Sequence, residues 1–157
     1  NDINNENVNI TEIANDTNNN IAKANDKNKI KKDKLIYPEL SFLLTGIFFE
    51  VHNTFGRFCR EKQYCDYIER KLTLLKIPFF REYVVGTTSN RVDFIVDNKI
   101  ILEIKAKRII EKGEYFQTQR YLQASGIKLG ILVNFHSEFL TPKRIIRIDT
   151  DARSKFL

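Results

Sequence analysis

Between Arg91 and Lys105 two six-residue stretches face each other across a short polar link, and one pairing alone reconciles their patterns. In the first, Val92, Phe94 and Val96 face one way and Arg91, Asp93 and Ile95 the other. In the second, Ile100, Leu102 and Ile104 share a face, and Ile101, Glu103 and Lys105 share the opposite one. A two-residue loop at Asp97-Asn98 would set Asp93 against Leu102 and oppose an apolar face to a polar one. A three-residue loop, Asp97-Asn98-Lys99, sets Val96 against Ile100 and Phe94 against Leu102, and every apolar residue of those two sets falls on one face. That register also places Asp93 opposite Glu103 and Arg91 opposite Lys105.

Side chains directly opposed in such a pair lie about 5 Å apart at Cβ. Two carboxylates at that separation repel by about 3 kcal/mol at an effective dielectric near 20. Selection for stability alone would avoid the pairing. A divalent cation turns the repulsion into attraction, because hard cations take oxygen ligands. Lys105, one pleat along the same face, completes a set suited to metal-assisted hydrolysis of a phosphodiester. The competing explanation is an ordinary wet face of an antiparallel hairpin. Ile95 and Ile101 on that face argue against it.

The elements on either side follow from periodicity. Pro38 opens a helix on which Leu40, Leu44, Ile47, Phe48, Val51 and Phe55 form one apolar stripe, with Gly56 as its C-terminal cap. A second helix runs from about Phe58 to Lys76, with Tyr64, Ile68, Leu72 and Leu75 on one face, and Pro78 stops it. Strands are expected at Phe80–Val85, Arg91–Val96, Ile100–Lys105, Lys128–Phe135 and Arg144–Ile148, and a helix at Gly113–Ser125 capped by Gly126. The order of helix, helix, three strands, helix, strand, strand defines an α/β fold with a mixed sheet flanked by helices.

Residues 1–34 read differently. They hold 11 Asn, 6 acids, 6 lysines and no aromatic residue, so their net charge is zero. Such a stretch cannot bury enough apolar surface to offset its ordering entropy, and it is expected to be a disordered or weakly helical extension. It lacks the apolar centre of a signal peptide. Residues 35–157 form one domain and carry the whole net charge of +6. A basic domain directs attention to polyanions. No run approaches the roughly 18 apolar residues of a membrane helix, so no membrane partner is expected. Cys59 and Cys65 project about 240° apart on a helix and cannot pair with each other, which fits a reducing, cytoplasmic setting. With two histidines far apart in sequence, a zinc site is not expected. There is no glycine loop to cradle a nucleotide.

Two further pieces sit beside the hairpin. Gln117 and Tyr121, four apart, share a face of the helix that follows it, and Glu50 flanks the apolar stripe of the first helix. The order Glu50, Asp93, Glu103-Ile104-Lys105, Gln117-x-x-x-Tyr121 resembles the PD-(D/E)xK nuclease superfamily. More narrowly, Leu35 to Ile148 resembles the small GxxExxY proteins within it. Glu50-Val51-His52, Glu61-x-x-Tyr64, Arg91-Val92-Asp93, Ile101-Leu102-Glu103-Ile104-Lys105-Ala106, Gln117-x-x-x-Tyr121-Leu122 and Gly130-Ile131-Leu132-Val133-Asn134-Phe135 carry that likeness. Phe58 stands where the first glycine of the name motif would be, and Val92 replaces the proline. Neither position supplies a metal ligand.

The resemblance implies a restriction-endonuclease-like fold and a metal-dependent nuclease acting through a metal-activated water. Asp93 and Glu103 would ligate Mg2+ or Mn2+, with the Ile104 carbonyl as a third oxygen. Lys105 would orient or deprotonate the attacking water and stabilise developing charge. Glu50 would hold a metal-bound water or a second ion. Gln117 would orient ligands or phosphate, with Tyr121 packed beneath it. Nucleic acid is the implied partner, DNA favoured over RNA. Basic residues at Lys107, Arg108 and Lys112, and again at Lys143 and Arg144, would grip its backbone. The alternatives are a catalytically silent nucleic-acid-binding domain or a protein-interaction module on the same fold. The sequence leaves the oligomeric state open, self-association included.

Overall fold

The computed structural model describes residues 35–86 and 90–149, so the expectation for 1–34 lies outside the described residues. The chain divides between Pro38 and Glu39 into two units, and the fold below is that of the second. The elements are α1 (Pro38–Phe55), α2 (Glu61–Leu74), β1 (Phe79–Val84), β2 (Arg91–Val96), β3 (Ile100–Lys105), α3 (Lys112–Ser125), β4 (Leu129–Asn134) and β5 (Lys143–Ile146). The five strands form one sheet in the order β1-β2-β3-β4-β5. All neighbours are antiparallel except β3 and β4, which run parallel. A parallel step needs a crossover, and α3 is that crossover.

The hairpin adopts the register its pattern demands, with Val96 opposite Ile100 and Phe94 opposite Leu102. Asp97 and Asn98 both take φ of 51°, and the Lys99 amide closes the turn on the Val96 carbonyl at 2.9 Å. Asp and Asn tolerate that left-handed backbone better than most residues. Lys99 is the extra residue that sets the register.

The two sheet faces are both covered. On one, the α1 stripe (Leu44, Ile47, Phe48, Val51) and Tyr64, Ile68 and Leu72 of α2 are buried. Tyr64 stacks on Phe135 at 4.4 Å between centroids, and Phe48 meets Phe135 edge-on at 6.3 Å. The buried Tyr64 hydroxyl donates to the Gly56 carbonyl and accepts the Cys59 amide, which ties the link between the helices to the core. On the other face, Tyr121 and Leu122 of α3 cluster with Val85, Val92, Ile95, Ile101, Leu132 and Ile145. Ile95 and Ile101 are therefore core residues, and the face that bears Glu103 is not a wet one. Val92 joins the same cluster, so the strict alternation expected of β2 breaks at Asp93, which borders Glu61, Cys65 and Arg81 instead. Gly130 lets α3 approach: a Cβ there would lie 2.7 Å from the Thr118 methyl.

One boundary departs from the sequence pattern in a way that matters. α2 begins at Glu61 rather than near Phe58. Gly56, at φ 66°, ends α1, and Arg60 is extended, with its amide held by the Gln63 side chain at 3.0 Å. Glu61 is thus the first residue of the helix. Cys59 lies ahead of the helix, and both Cys59 and Cys65 are free thiols.

Candidate active site

The site forms where β2 and β3 separate. Their pairing ends at Phe94 and Leu102. Beyond it, the Asp93 carboxylate accepts the Ile104 amide at 2.7 Å, so a side chain takes over from the ladder. Asp93 is half-buried and Glu103 is 2% exposed. Lys105 Nζ donates to Glu103 Oε2 at 3.2 Å. Glu103 Oε1 is buried without a hydrogen-bond partner among the described residues. An orphaned buried carboxylate oxygen is expensive and calls for a ligand.

The electrostatics agree. Burial, and then the neighbouring Asp93 charge, push the Glu103 carboxyl up to about 7, against the pull of Lys105 and of the Asp93 backbone amide. Asp93 is raised too, chiefly by burial, with the Ile104 amide and Lys105 opposing and Glu61 and Glu82 adding repulsion. Burial works to lower Lys105, but the Glu103 and Asp93 carboxylates outweigh it and hold the ammonium charged.

Two other carboxylates stand around Asp93. Glu61, freed to reach outward by its place at the start of α2, accepts the Ala106 amide at 3.1 Å just past the end of β3. Glu82 lies in β1 between Arg81, opposite Phe94, and Tyr83, opposite Val92; the register is the same on both sides, so Glu82 stands opposite Asp93. It holds φ at 49°. A left-handed backbone at a residue other than glycine costs of order 1–3 kcal/mol and gathers at functional sites. Glu61, Lys62, Cys65, Arg81, Glu82 and Asp93 line an opening of about 170 Å³. Burial and the Asp93 charge push the Cys65 thiol up to about 12, so it stays protonated and unreactive.

From the far side, α3 closes the site. Gln117 donates to the Tyr121 hydroxyl at 2.6 Å, and Tyr121 is buried close enough to feel the Glu103 and Lys105 charges. The structure thus gathers Asp93, Glu103, Lys105 and Tyr121, with Gln117 attached. It does not bring Glu50 among them. Glu50 pairs with Lys71 at 2.5 Å and accepts the Tyr67 hydroxyl at 2.7 Å, tying α1 to α2. Those partners lower its carboxyl, Lys71 foremost. Glu61 faces Asp93 in its stead. The spacing Glu61-x-x-Tyr64 carried that information, because residues three apart share a helix face and burial of Tyr64 brings Glu61 to the end of β3.

The basic residues separate. Lys107 pairs with Glu114. Arg108 and Lys143 line one cleft beside Leu132 and Asn134. Lys112 is exposed at the first residue of α3. Arg144 alternates away from Lys143 and donates to the Ser41 hydroxyl of α1, on the opposite face of the sheet. His52 bonds the Ser137 carbonyl at 2.9 Å and serves packing.

A mixed sheet flanked by helices, with two acids and a lysine where central strands part, defines a restriction-endonuclease-like domain. The family model for the PD-(D/E)XK nuclease superfamily matches residues 38–148, and the chain belongs to that superfamily. No curated protein is matched by the chain. Among the described residues no helix is long and apolar enough to cross a membrane.

The donor set fits a hard divalent cation: carboxylates only, one of them with a buried oxygen awaiting a partner. Among the described residues no three His, Cys, Asp or Glu side chains converge on one point, so the fit rests on the Asp93–Glu103 pair.

Proposed function

We propose that this protein is a Mg2+- or Mn2+-dependent nuclease of the GxxExxY kind that hydrolyses phosphodiester bonds, with DNA as its substrate. The observation that carries the reading is the unpartnered, buried Glu103 Oε1 beside Asp93 and the charged Lys105. Asp93, Glu103 and the Ile104 carbonyl would hold the ion. When bound, the ion lowers the pKa of water and offsets phosphate charge.

The remaining work belongs to side chains. Lys105 Nζ, anchored on Glu103 Oε2 at 3.2 Å, points a proton donor at the incoming water and at the oxygens of the phosphorus centre. The water oxygen forms a new bond to phosphorus as the bond to the leaving sugar oxygen breaks; the proton the water gives up passes to solvent, and the leaving oxygen takes one up from solvent. Lys105 neutralises part of the charge gathered on the way. Glu61 braces the end of β3 through the Ala106 amide and so holds the Ile104 carbonyl in place. Gln117 and Tyr121 keep α3 against the pair. Glu50, in this reading, is a tie between helices.

The test is cleavage of labelled single- and double-stranded DNA and RNA with Mg2+, Mn2+ or EDTA, by wild type, Asp93→Asn and Lys105→Met. Metal-dependent cutting lost in both variants supports the reading. A wild type that cuts nothing, and that divalent ions fail to stabilise thermally, sinks it in favour of a silent binding domain.

A further inference from the structure

Beside Glu103, on the same sheet face, lies a cleft of about 270 Å³ lined by Arg108, Ile110, Tyr115, Leu132, Asn134 and Lys143, among others. Its position relative to the site is fixed by register. Glu103 pairs with Leu132, and Leu132 pairs with Lys143, so these three form one row across β3, β4 and β5. Neighbouring strands are about 4.8 Å apart, which puts the Lys143 backbone about 10 Å from that of Glu103. Arg108 reaches the same cleft from the loop after β3.

The charges in this cleft are uncommitted. Lys107, next in sequence, is bound to Glu114. Arg108 and Lys143 carry no carboxylate partner among the described residues, and both are exposed. Tyr115, 36% exposed, and the partly buried Ile110 supply an apolar wall. Two free cations over a small aromatic-walled cavity suit a phosphate attached to a flat base. At about 270 Å³ the cleft lies just below the roughly 300 Å³ at which ligand clefts usually start, so it admits no more than one nucleotide.

We propose that this cleft is a subsite for a single unpaired nucleotide, with its phosphate held by Arg108 and Lys143 and its base against Tyr115. The enzyme therefore takes single-stranded or frayed nucleic acid rather than an intact duplex. A base still paired to its complement cannot enter a cleft of this size. The recessed pair agrees: Glu103 is 2% exposed, and a flexible strand reaches it more readily than a stiff duplex. The proposal rests on the nuclease reading for its meaning, but the cleft can be tested without cleavage.

The experiment is fluorescence anisotropy of a labelled single-stranded oligonucleotide and of a blunt duplex of the same sequence, in EDTA across a salt series. The proteins are wild type, Arg108→Ala with Lys143→Ala, and a control that removes two exposed charges elsewhere, Arg70→Ala with Lys128→Ala. Wild type is expected to favour the single strand about tenfold. The Arg108/Lys143 variant loses that preference, and its log–log salt slope falls by about 1.4, the value for two lost contacts on a single strand. Equal binding of duplex and single strand by wild type overturns the proposal, as does an Arg108/Lys143 variant no weaker than the control. A separate cleavage assay distinguishes the two readings. Wild type that cuts while the cleft variant binds like the control removes the subsite and leaves the nuclease. Wild type that shows the cleft-dependent preference but never cuts removes the nuclease and leaves the subsite.

Discussion

Glu103 meets one of its carboxylate oxygens with Lys105 and leaves the other bare, and that imbalance sets how the protein responds to pH. The folded carboxyl sits at about 7 against an ordinary value of 4.5, so the folded chain binds this proton more tightly than the unfolded chain. Metal-free stability is therefore highest below pH 4.5 as far as this group is concerned, and falls as pH rises toward 7. The upper bound is about 3 kcal/mol. Thermal melts in EDTA should show this loss in wild type and not in Glu103→Gln, and Mg2+ should raise the wild-type melting temperature more at pH 8 than at pH 5.5. Lys105→Met should lower the cleavage rate by about 10²–10³, the usual worth of one preorganised donor to developing charge, with the melting transition still cooperative. The hairpin residues were legible because alternation and a short loop leave one register. Glu61 was less so, since a helix expected from about Phe58 places it inside the helix, whereas it is the first residue of α2. The amide of Cys59, held by Tyr64, is what moves the start to Glu61.

At the scale of elements, α3 is the piece whose distance from the sheet decides the site. Thr118 lies over Gly130, and a methyl added to Gly130 would have to displace it. Gly130→Ala is expected to destabilise by about 1–3 kcal/mol through overpacking. Cleavage should fall with it, because Gln117 and Tyr121 ride on the same helix. Thr118→Ser keeps the hydroxyl bond to the Glu114 carbonyl and removes the methyl, so the double variant should recover most of the loss in a denaturant titration. An unchanged Gly130→Ala midpoint would contradict the close approach. Strand and helix positions were largely readable from period and punctuation. What period could not reveal is Arg144, whose alternation with Lys143 sends it to α1 while the sequence grouped the two as neighbours.

Over the whole molecule, charge is divided unevenly along the chain. Residues 1–34 sum to zero and the rest carries +6. Removing 1–34 should therefore leave the salt dependence of nucleic-acid binding unchanged, and a titration showing a shallower slope would assign those residues a direct part in binding. The sequence order of the site has a further consequence. Asp93 and Glu103 lie ten positions apart and are joined by a three-residue loop, whereas Lys143 and Glu61 are brought in from far along the chain. Local contacts form first on the way to the native state, since they close the shortest loops. The opposed carboxylates therefore meet in a nascent hairpin, before α3 and β4 arrive to shield or balance them. Anything that relieves their repulsion at that stage acts on the folding limb of a chevron plot rather than on unfolding. Glu103→Gln should speed refolding in EDTA at pH 8, and millimolar Mg2+ should do the same for wild type. On the proposed metal-site reading, the demand for an ion would belong to the early hairpin as well as to the finished site.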